Sequence, residues 1–206
     1  MSRLYPKYNS SVFINCPFDN HYKPLFHALV FAVQSCGFIP RCAKEYTGTE
    51  EIRIHQIIEI MRVCLLGIHD LSRTESNENG LPRFNMPLEL GLFMGARHFG
   101  EGQQAQKKYL VLDKEDFRFK TFISDFGGQD IRTHSDSPEK MISSVRDWLS
   151  QRVPRRNLPH GSYIFSRYRN FQNVLPEMCA NLKWTVDELQ FTEFTLLSSN
   201  WLNLQK

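Results

Sequence analysis

The run VCLLGIHDLS, residues 63–72, constrains the fold more than any other stretch of this chain. Its apolar residues follow one another without alternation and end in polar ones. A strand with one face in water would alternate. A strand apolar on successive residues has both faces covered, as in a parallel sheet flanked by helices. The segments around it fit that demand. SVFIN (residues 11–15), FIPRCA (38–43) and KKYLVLD (107–113) read as further strands, and GGQDIRTH (127–134) as a weak fifth. Between them lie helical patterns. LFHALVFAVQSCG follows Pro24 and stops at Gly37. EYTGTEEIRIHQIIEIMR becomes amphipathic through Ile54, Ile57, Ile58 and Met61. After a polar loop, RTESNENGLPRFN, a third helix carries Met86, Leu90, Phe93 and Met94 at helical spacing, with Leu88 and Leu92 beside them. SPEKMISSVRDWLSQR closes the series, with Ser137 or Ser135 as its cap. Strands alternating with helices predict a doubly wound α/β domain with a mostly parallel, roughly five-stranded sheet. Ligands of such sheets bind outside the carboxyl ends of the strands, here residues 15–19, 42–48, 70–72 and onward from Asp113.

A composition change at RVPRRNLPHG divides the chain into an α/β domain at 1–151, a linker at 152–161 and a helical pair at 162–206. Thr185 and Glu188 fit a capping box opening the second helix of the pair. About 45 residues cannot build a core alone. The aromatic and aliphatic residues of the pair therefore have to dock on the α/β domain or on another subunit, and a subunit contact is the favoured expectation. The linker arginines Arg152, Arg155 and Arg156, with Arg167 and Arg169, read as a solvated run.

The bulk properties exclude several classes. Hydrophobic content of 41% and charged content of 23% describe a globular protein, and a net charge of +3 does not argue for nucleic acid as a partner. No apolar run reaches the roughly 20 residues that span a bilayer. The start, MSRLYPKYNSS, lacks the apolar core of a signal peptide. Five cysteines, without a C-x-x-C pair, predict a reduced cytoplasmic protein with no disulfide. Seven scattered histidines offer no metal site.

Three places carry candidate chemistry. Glu89 is a carboxylate inside an apolar helical run, where burial is costly unless the group is paired, hydrogen-bonded or protonated. Pro87 places it in the first helical turn, where the helix dipole favours a negative charge. The alternative is a nucleophile or electrostatic stabiliser at an oxocarbenium-like centre. In FINCPFDN, Asn15 and Asp19 are suited to hydrogen-bond a sugar and Phe18 to stack on a base, or the same residues serve turn chemistry. Asp70 follows the longest apolar strand, either holding a base or ribose and assisting as an acid, or capping the next loop. His69 reads as a packed residue. Gly91 and Gly95 share a helix face and predict a close approach of that helix to the sheet.

The ordered set FINCPFD, a helix ending CGFIPRCA, then CLLGIHDLS and NMPLELGLFMGA resembles the superfamily that joins TIR domains with nucleoside 2-deoxyribosyltransferases. Cys16-Pro17-Phe18 resembles the Gly-Pro-Phe loop of the transferases. Phe13-Ile14-Asn15 is similar to the Phe-Ile-Ser strand of TIR domains. LELGLFMGA is similar to the segment carrying the catalytic glutamate in both, which falls on Glu89. The transferases have Gly-Thr or Ser before that helix; this chain has Phe84-Asn85-Met86-Pro87, so Asn85 takes that place. The resemblance covers residues 12–150 and extends to bacterial TIR-like proteins, many linked to anti-phage defence. It implies a TIR/flavodoxin-like fold and cleavage of an N-glycosidic bond in NAD or a related nucleotide, with no added cofactor. It implies Glu89 and Asp70 as catalytic residues, and Asn15, Cys16, Phe18, Asp19, Ser72 and Asn85 as substrate-binding residues. Assembly through the C-terminal helices, as a homo-oligomer or with a partner protein, goes with it. The rival readings are a non-catalytic nucleotide sensor and an interaction scaffold.

Overall fold

The computed structural model describes residues 7–46, 48, 52–74, 83–126, 129–152 and 157–205. Most of the polar loop at 73–85, the Gly-Gly pair before the fifth strand, and Arg155 and Arg156 lie outside these residues. Five strands form one parallel sheet in the order β2-β1-β3-β4-β5. They are β1 (Ser11–Asn15), β2 (Ile39–Cys42), β3 (Leu66–Asp70), β4 (Lys108–Asp113) and β5 (Ile131–Thr133). The predicted doubly wound fold is present, and β3 is buried along its whole length, as its unbroken apolar run requires.

The helices between strands are α1 (Lys23–Ser35), α2 (Arg53–Arg62), α3 (Asn85–Phe99) and α4 (Pro138–Ser150). Gly37 follows α1 with φ of 79°, a left-handed conformation that glycine adopts at no steric cost. Of the two serines proposed to cap α4, Ser137 does so: its Oγ accepts the Lys140 N–H at 3.3 Å. Strand alternation sorts the side chains into two cores. Val12, Ile14, Leu66, Ile68, Leu110 and Leu112 pack toward α1 and α4. Phe13 on the opposite face packs with Ile57, Ile60 and Met61 of α2 and Phe93 of α3. The close approach of α3 to the sheet comes from Gly67 on β3, not from Gly91 and Gly95. A Cβ at Gly67 would meet the Phe93 ring at 2.9 Å, whereas one at Gly91 would meet nothing within 4 Å. Lys107, fully buried just before β4, ties the end of α2 to the sheet. Its Nζ donates to the carbonyls of Met61 at 2.6 Å and Cys64 at 2.5 Å, above the Phe93 ring.

The C-terminal pair is α5 (Gly161–Asn181) and α6 (Phe191–Leu204). The second helix starts later than the expected capping box. The Thr185 hydroxyl donates to the Glu188 carboxylate at 2.6 Å instead of accepting a backbone N–H. The box that opens α6 is formed by Gln190 and Glu193. Both helices dock on their own α/β domain and share its core: Tyr168, Phe171, Leu175, Phe191, Phe194, Leu197 and Leu202 are buried with the residues of α1. Phe31 of α1 lies 5.3 Å from the Tyr168 ring, 5.5 Å from Phe171 and 6.0 Å from Trp201. Burying these side chains therefore requires no second subunit. The segment at 152–161 is also tied down in part, since the Arg146 guanidinium donates to the carbonyls of Leu158 and Pro159, both at 2.7 Å. All five cysteines are free and buried. Among the described residues no helix is long and apolar enough to cross a membrane.

Phe171, fully buried against Phe31, Phe194 and Trp201, tests this packing. Phe171→Ala should destabilise the whole protein by about 3–5 kcal/mol in urea denaturation. A loss confined to local fraying of the tail, with an unchanged global transition, would mean that the helical pair is not part of the core.

Candidate functional site

In this strand order the chain leaves β1 toward one side of the sheet and β3 toward the other, opening a crevice at their carboxyl ends. The crevice is a cleft of about 800 Å³. Its floor is the loop after β1, from Asn15 to Asp19. One wall is the start of α2, with Arg53, Ile54 and Ile57. The other is the start of α3, with Arg83 just before it, then Asn85, Met86, Leu88 and Glu89.

Glu89 lies in the second turn of α3, not the first. The helix begins at Asn85, two residues ahead of Pro87, a position at which proline's missing N–H has no helical partner to lose. The expected support from the helix dipole is correspondingly reduced. Glu89 is half-buried on the cleft wall and has no hydrogen bond or ion pair among the described residues. Burial pushes its pKa up to about 7, and the positive charge of Arg53 across the cleft pulls it only part of the way back.

Asn15 is fully buried and sets the position of that wall. Its side-chain amide donates to the Met86 carbonyl in the first turn of α3 at 2.8 Å and contacts His69 Nδ1 at 3.1 Å. An acceptor role for Nδ1 places the ring proton of His69 on Nε2. Burial holds His69 down at about 3, so the ring is neutral. Asn15 thus clamps β1, β3 and α3 together, and only its edge reaches the cleft. Cys16 also borders the cleft but is buried. Burial, with the negative charge of Asp70 nearby, pushes its thiol pKa up, the reverse of what a nucleophile requires. Phe18 and Asp19 are half-buried, and Asp19 pairs with Arg83 at 3.3 Å across the mouth.

Asp70 and Ser72 are the exceptions. Asn15 pairs with His69 in the parallel ladder, and both face α3. Asp70 is one residue out of phase and points through the opposite face toward α1 and α4. It has no exposed surface. Its Oδ2 accepts the Tyr22 hydroxyl at 2.5 Å and lies 3.0 Å from His134 Nε2, while Oδ1 accepts the Ser72 N–H at 2.8 Å. The His134 approach is close but not in line. Its direction is fixed by the other ring nitrogen, which accepts the Asp136 N–H at 3.1 Å. Burial alone would raise the Asp70 pKa. His134 first, then Ser72 and Tyr22, outweigh that and hold the carboxyl below its usual range. Ser72 is buried with its hydroxyl unpartnered among the described residues. Neither residue lines the cleft, and Asp70 instead takes part in a clamp joining β3, the start of α1 and the turn after β5.

The cleft contains four residues that the motifs did not single out: Arg53, Arg83, Ile54 and Ile57. The helical period marked the two isoleucines as core. The two arginines are exposed residues at helix starts, and only tertiary structure brings them together. Among the described residues no group of three or more His, Cys, Asp or Glu side chains is arranged to hold a metal ion. Comparison of the chain with models of protein families, with curated proteins and with solved structures finds no match.

The clamp has a definite pH signature. A carboxyl whose folded pKa is depressed contributes stability above its unfolded value of about 3.9, and the contribution fades as pH falls through the folded value. Asp70→Ala should therefore cost at least about 3 kcal/mol at pH 7, given the two hydrogen bonds that Tyr22 and Ser72 donate to the ionised carboxylate. The difference from the parent chain should narrow below about pH 4. Urea melts at both pH values check this; a pH-independent difference would show that the charge of Asp70 does not contribute.

Proposed function

We propose that the cleft binds a nucleotide or nucleoside and cleaves its N-glycosidic bond, with Glu89 as the carboxylate that faces the anomeric carbon. One observation carries this reading. Glu89 is a half-buried carboxylate without a partner among the described residues, held on the wall of the cleft at the switch point of a doubly wound sheet. A structural role would give it a partner, and a solvated role would leave its pKa near that of a free carboxyl.

The chemistry follows from the residues around it. As the glycosidic C–N bond breaks, its electron pair leaves with the base and positive charge develops on the sugar. Ionised Glu89 stabilises that charge across a low-dielectric cleft. Attack by water at the anomeric carbon then releases a proton, which a carboxylate with a pKa near 7 is suited to accept. The Phe18 ring offers a stacking surface for the base. Asn85 and Asp19 offer hydrogen bonds to sugar hydroxyls, and Asn15 acts behind them by positioning α3. The ordered motifs that resemble the TIR and deoxyribosyltransferase superfamily support the same assignment and make NAD the first substrate to try.

Incubating the protein with NAD and a panel of nucleosides, with products followed by mass spectrometry, tests the activity. Glu89→Gln should abolish turnover while raising thermal stability at pH 8. The reason is that a raised folded pKa makes the folded state bind more protons than the unfolded chain between about 4.5 and 7, so the ionised carboxylate costs stability above that window. A Glu89→Gln variant that turns over normally, or that melts lower at pH 8, would overturn the assignment. In the parent chain the rate should rise with pH through about 7, as Glu89 ionises. Arg53→Gln removes the charge that favours ionisation, and the midpoint of the pH–rate profile should move upward. A downward or absent shift would separate Arg53 from Glu89.

A further inference from the structure

Behind the loop that floors the cleft lies a second cavity of about 250 Å³. Pro17, Phe18 and Asp19 form a wall of both. The second cavity exists only because the start of α6 docks on α1. Phe26 and His27 of α1 pack against Phe191 and Phe194 of α6 to form one wall of it. The His27 ring lies flat on Phe194, with centroids 3.9 Å apart and planes 12° from parallel. Burial, with Lys23 and Lys44 nearby, holds His27 down at about 3, so this imidazole is neutral. Neither of its nitrogens is hydrogen-bonded among the described residues, which leaves one N–H and one lone pair on offer.

Of the charged groups around the cavity, Asp19 is paired with Arg83 at 3.3 Å. Lys23 is committed to structure, donating to the Asp187 carbonyl at 2.6 Å and the Val186 carbonyl at 3.3 Å and so pinning the rim. The Asp187 carboxylate is turned fully to solvent, 3.9 Å from Lys23. The Glu188 carboxylate is engaged by the Thr185 hydroxyl. Lys44 remains: its ammonium lies 5.1 Å from the Phe18 ring centroid and 6.0 Å from Phe26, and it has no carboxylate partner among the described residues. One unpaired positive charge beside a group of aromatic rings suits a ligand with one negative charge and a flat body. A dianion such as phosphate would meet Asp187 and Glu188 at the rim with a single cation to offset it.

We propose that this cavity binds a small flat monoanion, an aromatic or heteroaromatic carboxylate, whose ring lies among Phe18, Phe26 and Phe191 and whose carboxylate pairs with Lys44. The site is distinct from the Glu89 cleft, and its existence does not depend on the reaction assigned there.

Isothermal titration of the full chain with benzoate, with pyridine-2-carboxylate and with the neutral isostere benzamide tests the proposal. Both carboxylates should bind saturably, and benzoate at least about tenfold more tightly than benzamide. Lys44→Gln should weaken benzoate by at least about tenfold without changing the thermal melt, because Lys44 is exposed and makes no structural ion pair; Lys44→Arg should restore binding. Glu89→Gln should leave benzoate affinity unchanged, which separates this cavity from the cleft. Equal affinity for benzoate and benzamide, an affinity indifferent to Lys44→Gln, or no saturable binding of either carboxylate would overturn it.

Discussion

The structure depends on the burial of α1 from every side. From Ala28 to Val33 each residue of this helix is fully buried, so no face of it meets water. A helix that is apolar all round needs cover on all sides. The sheet supplies one side and α4 flanks it. The outer side would lie bare without α5 and α6. The C-terminal pair is therefore a fourth layer, after α2–α3, the sheet and α1–α4. The same docking fixes everything at the start of α1. It holds Tyr22 where its hydroxyl reaches Asp70, and Phe26 where it supports Phe18 edge-on at 5.3 Å. The loop that floors the cleft is thus held by layers packed beneath it, on the opposite side from the cleft walls.

The two-residue period of the strands divides the chemistry of the sheet between its faces. Asn15 and His69 face α3, and through Met86 they place the helix that carries Glu89. Asp70, one residue further, faces α1 and joins Tyr22 and His134. Its carboxylate accepts from Tyr22 and Ser72 and lies beneath the loop. The carboxylate of Glu89 has no such donor among the described residues. Two acids close in space at the end of one sheet thus have opposite environments. One is held ionised as a structural member, and the other is left near neutrality at an open cleft.

The elements were legible in the sequence because their signals are local. The unbroken apolar run of β3, the period of α2, the stop at Gly37 and the Ser137 cap each act within a few residues, and each appears where expected. Glu89 was legible for a similar reason, as a charge interrupting an apolar helix. What was not legible depends on register and long-range contact. That Asp70 ends a strand says that it is near the ligand edge; which face it takes follows from its phase against Asn15, set by pairing across the ladder. Arg53 and Arg83 belong to different helix starts and carry no pattern that links them. Gly91 and Gly95 have the spacing of a packing face, but the close contact belongs to Gly67, whose partner Phe93 is 26 positions away in the chain. The all-round apolar character of α1 did carry the information that a further layer must cover it, and the need to bury the tail was the same fact seen from the other side.

The Pro17–Phe18–Asp19 loop separates two cavities with opposite electrostatic needs. On the cleft side Glu89, a carboxylate without a partner among the described residues, faces Arg53, and Arg83 spans the mouth to Asp19. On the far side Lys44, an ammonium without a carboxylate partner among the described residues, lies over the Phe18 ring. The ionised Glu89 costs stability because it is half-buried, whereas Lys44 is exposed and rests over the Phe18 ring. Phe18 itself is only half-buried, supported by Phe26 on one side and by a cation on another. The loop is rigid where the backbone must hold Asn15 in the sheet, and open where side chains face the two cavities.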